Sequence, residues 1–306
     1  MHKQNKAYLY AGASIIAWST ISTAFKLSLQ YLTPVGLLLF SSFTAFLVLG
    51  IINLLIKPAD LTHRSWFPKT RDNLKKSLFA GLLNPFIYYL MLFEAYSRLR
   101  AQEAQALNYT WAIVLALFSI WLLKEKFHLT DLIALLISFF GVWIISTKGQ
   151  ITAIKFDDAW GSFLAISTSL IWALYWIRNR KDKRPASVKL CCNFFIGFIL
   201  IAIFALVTRS KLFTSKAIYS YGILGGIYVG IFEMGLTFLL WNKALELTDN
   251  TSSISNMIFF TPFISLLFIG LILKESIHYA TFIGLLLIVF SNLLQKGLPG
   301  ILKRNY

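Results

Sequence analysis

A lone carboxylate, Glu233, lies inside the apolar run GIFEMGLTFLLWNKA at residues 230–244. An acid in the middle of a bilayer-crossing segment costs a few kcal/mol to place there, so it is expected to face a cavity or a partner group. Two chemistries suit it: binding a substrate ammonium, or taking up and releasing a proton. A structural lock to a base such as Lys26 is the alternative. Five tryptophans, Trp18, Trp111, Trp172, Trp176 and Trp241, offer apolar or cation-binding walls, or ordinary helix packing. Asn84, Asn108 and Asn256 offer amides that orient a polar substrate or bridge helices. Ser19, Tyr88 and Thr237 add hydroxyls, and these twelve residues together form the predicted substrate site.

Other chemistry finds little support. The sequence contains no HExxH, no GxSxG and no phosphate-cradling glycine loop. The histidines His2, His63, His128 and His278 fall in predicted loops or helix ends. Cys191 and Cys192 are adjacent, which suits neither a structural crosslink nor a metal site. No catalytic residue, cofactor or metal is expected.

The elements that must position these residues follow from composition. The chain of 306 residues is 57% hydrophobic and 14% charged, with mean hydropathy +0.67; soluble domains carry about 25% charged residues. Ten apolar runs are each long enough for a bilayer core about 30 Å thick. They fall at 7–28, 33–56, 76–97, 103–123, 128–147, 158–179, 188–208, 219–244, 252–273 and 277–296. The net charge of +16 is concentrated in alternate connections. That distribution places both termini in the cytoplasm and argues against a nucleic-acid partner. At about 100° per residue, polar and aromatic stripes appear on the first, third, sixth and eighth runs, as a water-accessible cavity requires.

The halves repeat. GLLNPFIYYLMLFEA (81–95) aligns with 230–244 at an offset of 149, which matches Asn84 to Glu233. The charged wedges Lys124–Glu125 and Lys274–Glu275 follow at an offset of 150 and read as helix-end anchors. Residues 1–150 and 151–306 are therefore two five-helix repeats. Five is odd, so the second copy enters the membrane inverted, an arrangement that lets one half rock against the other.

With its two five-helix repeats, the AWST segment, the FFTPFISLLFIGLILKES segment and a glutamate closing the fourth and ninth runs, the chain resembles the EamA-type branch of the drug/metabolite transporter superfamily. NYTWA and FFTP are similar to the aromatic amino acid exporter subgroup, which usually has proline at the position of Ala112. The resemblance implies an all-α integral membrane carrier of ten helices with a central cavity. The expected function is secondary active transport of a small organic metabolite, an amino acid or related compound, by alternating access and in the export direction. Import or exchange of a sugar or nucleotide-linked compound is one alternative. An integral-membrane enzyme or a structural subunit is another. The expected partners are the solute and membrane lipid, for a monomer in a bacterial inner membrane.

Overall fold

In the computed structural model, residues 3–55, 70–123, 129–150, 158–215, 219–249, 254 and 256–296 are described. The first half comprises α1 (Lys3–Ser28), α2 (Pro34–Leu55), α3 (Arg71–Arg98), α4 (Ala101–Asn108), α5 (Trp111–Leu123) and α6 (Leu129–Ser146). The second comprises α7 (Ala159–Lys181), α8 (Ala186–Val207), α9 (Tyr219–Leu247), α10 (Thr261–Ile272) and α11 (Tyr279–Lys296). α4 and α5 are the two parts of the fourth predicted run, so ten helical units stand among the described residues, matching the ten predicted runs. Lys124–Glu125 and the predicted start of the ninth span at 252 lie outside the described residues. α3 begins earlier than the apolar pattern suggests because Thr70 caps it, accepting from the Asn73 backbone N–H at 3.2 Å.

Among the described residues, five helices, α2, α3, α7, α8 and α9, are long and apolar enough to cross a bilayer. α1 is 26 residues long but turns Ser14, Ser19, Ser22 and Thr23 into the protein, which lowers its hydropathy without exposing polar groups to lipid. Leu54, Trp121, Leu206 and Leu271 are largely exposed on the periphery, where lipid would cover them.

Helix packing exchanges the two halves. α1 packs on α9 as α7 packs on α3, and α2 packs on α9 as α8 packs on α3. α2 meets α8, and α6 meets α11. Glycines at equivalent positions make the closest approaches. A Cβ on Gly81 would lie 2.8 Å from the Asn193 carbonyl oxygen of α8, and one on Gly230 would lie 2.5 Å from Thr44 Cβ of α2. Gly81 to Gly230 and Thr44 to Asn193 are both steps of 149 residues, the offset of the sequence repeat. Small residues at a helix crossing let backbones approach where lipid supplies no hydrophobic drive.

The connections sort to two ends. At one end the α1–α2 link pairs with the α8–α9 link through Thr33 N–H to the Leu212 carbonyl, 3.0 Å, and Thr214 N–H to the Tyr31 carbonyl, 2.9 Å. Arg98 at the end of α3 lies 3.7 Å from Asp158 at the start of α7 there. At the opposite end Gln4 of α1 accepts from the Asp249 N–H beyond α9, 2.9 Å, and the Asn53 amide of α2 donates to the Ser187 carbonyl of α8, 3.1 Å. α1 therefore starts at one end and α7 at the other, as an inverted pair of five-helix units must. Arg184, in the link between α7 and α8, is buried between Asp182, at 2.6 Å, and the Ser77 hydroxyl, at 2.8 Å. Burial works against the charge on Asp182, but its hydrogen bonds to Arg184 outweigh this and hold the carboxyl below its usual range.

Candidate functional site

Both third helices of the repeats are interrupted near their middles. α3 is wound into wider, π-type turns over Leu82–Ile87, with Asn84 in an extended conformation (φ −141°, ψ 114°) and Pro85 within the stretch. α9 does the same over Gly230–Gly235, with Gly235 at φ −103°, ψ −93°. Such turns insert a residue and rotate everything beyond them, and they concentrate at functional sites. The fourth helices are interrupted as well. α4 stops at Asn108 and α5 restarts at Trp111, and a 3₁₀ turn at Ile258–Phe260 precedes α10. Pro262 sits in the first turn of α10, where it starts the helix instead of kinking it.

A cavity of about 350 Å³ lies where these interruptions meet α1 and α7. Glu233 lines it, partly buried, with the Tyr89 hydroxyl donating to its Oε1 at 2.9 Å. Lys26 is not its partner. That ammonium donates to the carbonyls of Tyr96 and Leu99, at 2.8 and 2.7 Å, and lines a separate pocket with Glu275. Rings from both repeats form a continuous wall. Trp18 contacts Trp241 and Phe238 at centroid distances of 5.6 and 5.5 Å, Phe238 contacts Trp172 at 5.9 Å, and Trp172 contacts Tyr88 at 4.7 Å. Trp176 stands edge-on to Trp172 at 6.0 Å, and Trp111 closes the side at the start of α5. Asn108 ends α4 with its amide donating to Thr168 at 2.8 Å and to the Tyr88 hydroxyl at 3.4 Å.

Eight of the twelve predicted residues thus line one cavity: Trp18, Tyr88, Asn108 and Trp111 from the first repeat, and Trp172, Trp176, Glu233 and Trp241 from the second. Four do not. Ser19 is buried, donating to the Thr261 carbonyl at 3.2 Å and to its own helix at Ile15. Thr237 is turned back onto the Phe232 carbonyl, and Phe238 takes the position expected of it. Asn84 is buried behind the cavity wall, and Asn256 precedes the turn whose Ile258 does line the cavity. The structure adds Tyr96, bonded to Ser22 at 2.8 Å, together with Gln105, whose Oε1 accepts from Ser265 at 2.8 Å. The signal for Tyr96 is its spacing: Tyr88, Leu92 and Tyr96 recur every fourth residue and all face inward.

Beyond Phe25 and Tyr96 a polar layer joins the repeats at the end where α1 stops. Glu275 accepts from the Ala101 N–H at 3.1 Å, so the second wedge caps the first repeat's α4. Gln102 donates to the Ser276 carbonyl at 3.0 Å and accepts from the His278 N–H at 2.9 Å. Among the described residues, no group of three or more His, Cys, Asp or Glu is placed to hold a metal ion. Cys191 and Cys192 are both buried.

Comparisons with known proteins agree with this architecture. An uncharacterized transporter of Clostridium kluyveri is 24% identical over 296 residues, covering 95% of this chain and 93% of its own. A protein solved by crystallography shares the fold, with a TM-score of 0.62 at 20% identity, covering 95% of this chain and 96% of its own. The EamA-like transporter family matches twice, over residues 5–147 and 159–294, once for each five-helix unit. With nearly its whole length matched in two successive copies, the chain belongs to the EamA-like transporter family.

Proposed function

We propose that the protein is a secondary active transporter that moves an amino acid or a related amine-bearing metabolite by alternating access. Export is the working direction. The observation that carries this reading is the cavity itself: helices of both repeats line it, Glu233 stands on its wall, and toward one end a polar layer also joins the two repeats. A carrier needs that arrangement, because breaking one layer and forming its counterpart would move the opening across the membrane. The halves 1–150 and 151–306 are the two moving bodies, and the gradient of a solute or of protons supplies the energy. The excess of basic residues in alternate connections supports cytoplasmic termini, and the polar layer then lies on the outer face of a bacterial inner membrane. The chain acts as a monomer on a small solute within lipid, with no catalytic step.

The test is reversible locking. The Gln102 amide reaches the Ser276 main-chain carbonyl across the repeats at 3.0 Å, so the double variant Gln102→Cys, Ser276→Cys brings two thiols to this junction and is expected to crosslink on oxidation. Reconstituted into proteoliposomes, the oxidised protein is expected to lose at least about 90% of its counterflow of amine-bearing solutes, with recovery on reduction, because a bilayer-crossing carrier fixed in one state cannot cycle. Full counterflow in the crosslinked protein would exclude alternating access between these two halves.

A further inference from the structure

Within that transporter reading, we infer that the cavity selects a monovalent organic cation with an aromatic or bulky apolar body, an arylalkyl amine or quaternary ammonium, over a zwitterionic amino acid. Charge decides this first. Among the described residues that line the cavity, Glu233 is the only Asp or Glu, and none is a Lys, Arg or His. Lys26, a base on α1, donates to two backbone carbonyls and lines the other pocket. A bound ammonium would neutralise Glu233. The carboxylate of an amino acid would have to leave water without a base to meet it, which is costly in an apolar enclosure.

The other polar side chains that line the site, Tyr109 and Thr261 among them, are neutral and cancel no charge on a ligand. The Asn108 amide already serves Thr168 and Tyr88, and the Ser22 hydroxyl is paired with Tyr96. The Gln105 amide is neutral and orients a ligand without cancelling its charge. The walls, by contrast, suit a cation from several sides. Trp172 and Trp176 stand at 77° to one another and Trp18 lies at 56° to Trp241, so ring faces point in different directions around the space. Aromatic faces attract ammonium groups through their quadrupoles, most strongly where water is excluded. Tyr89, holding Oε1 of Glu233, fixes the carboxylate on its backbone and leaves the other oxygen for the ligand.

The experiment uses one aromatic body with four head groups: phenethylamine, benzyltrimethylammonium, phenylalanine and 3-phenylpropionate. Binding to the purified full-length protein is read by tryptophan fluorescence and thermal shift, and transport by counterflow in proteoliposomes. Both cations are expected to bind, phenylalanine at least about tenfold more weakly, and the anion weakest of all. Glu233→Gln is expected to weaken both cations by roughly 10- to 100-fold, the effect of one charge-assisted contact. Glu233→Asp should recover part of the loss. A melting temperature unchanged in both variants separates this from misfolding. Phenylalanine binding as tightly as phenethylamine, or unaltered cation binding in Glu233→Gln, would overturn the proposal. Counterflow of phenylalanine without cation binding would refute the charge selectivity alone. Cation binding without counterflow of any of the four would uphold the selectivity and count against the transporter reading.

Discussion

Ala112→Trp is expected to abolish transport while leaving a folded protein. Ala112 lies just past the break between α4 and α5 and faces the cavity beside Trp111. Its side chain is only partly buried, so the backbone there has room on the cavity side. An indole at this point would occupy the space the solute needs. Solute binding is expected to weaken by about 100-fold or more, at about 1.4 kcal/mol for each factor of ten. The checks are counterflow in proteoliposomes together with the melting temperature in detergent. Residual flux near that of the unmodified protein would mean that the solute travels elsewhere.

Gly230→Val is expected to have the largest effect on the fold. A Cβ at this position would lie 2.5 Å from Thr44 Cβ and 2.6 Å from the Ser41 carbonyl oxygen, and backbone cannot step aside as a flexible side chain can. The two added methyl groups would force α9 off α2 at the very start of the wide turns that carry Glu233. Overpacking of this kind costs roughly 3 kcal/mol or more, against a total stability of order 5–15 kcal/mol. Gly81→Val, with the Asn193 carbonyl oxygen 2.8 Å from its Cβ, should behave alike, because it occupies the equivalent crossing in the other repeat. Gly12→Ala has nothing within 4 Å of the new Cβ and serves as the contrast. It should hold or gain stability by up to about 1 kcal/mol through helix propensity. Size-exclusion profiles of the heated proteins would rank the three. Equal melting of Gly230→Val and Gly12→Ala would contradict the close crossing.

Much of this architecture is written in the sequence. Apolar runs of bilayer length gave the spans, and the offset of 149 residues recurs in space as paired glycine crossings. Glu233 was legible because a carboxylate in such a run has few places to go. The misses share one physical cause. A face drawn at a constant step assumes an uninterrupted helix. From Glu233 that step leads to Thr237, but the wide turns at Gly230–Gly235 move the inward position on to Phe238. From Tyr88 the same step leads back to Asn84, and the wide turns at Leu82–Ile87 carry Asn84 out of the cavity. Ser19 fails differently: it is one residue past Trp18, about 100° around α1, and it faces α10 instead of the solute space. Tyr89 escaped notice because it reaches the cavity only through the acid it holds. The shared polar layer of Gln102 and Glu275 was hidden for another reason, since no local pattern reveals a cap supplied from a residue far along the chain.

The claim that the two repeats alternate about this cavity is tested most directly by labelling. Cys191 and Cys192 are replaced by Ala, and Ala112→Cys places a thiol on the cavity wall of the protein that also carries Gln102→Cys and Ser276→Cys. After the latch is oxidised, a membrane-impermeant thiol reagent is applied to each side of sealed vesicles. The expected result is labelling of the cavity thiol only from the side of the termini, with labelling from the opposite side appearing once an unlatched control, lacking the pair at 102 and 276, is used. Labelling from both sides in the latched protein, or from the same single side in both proteins, would contradict alternating access.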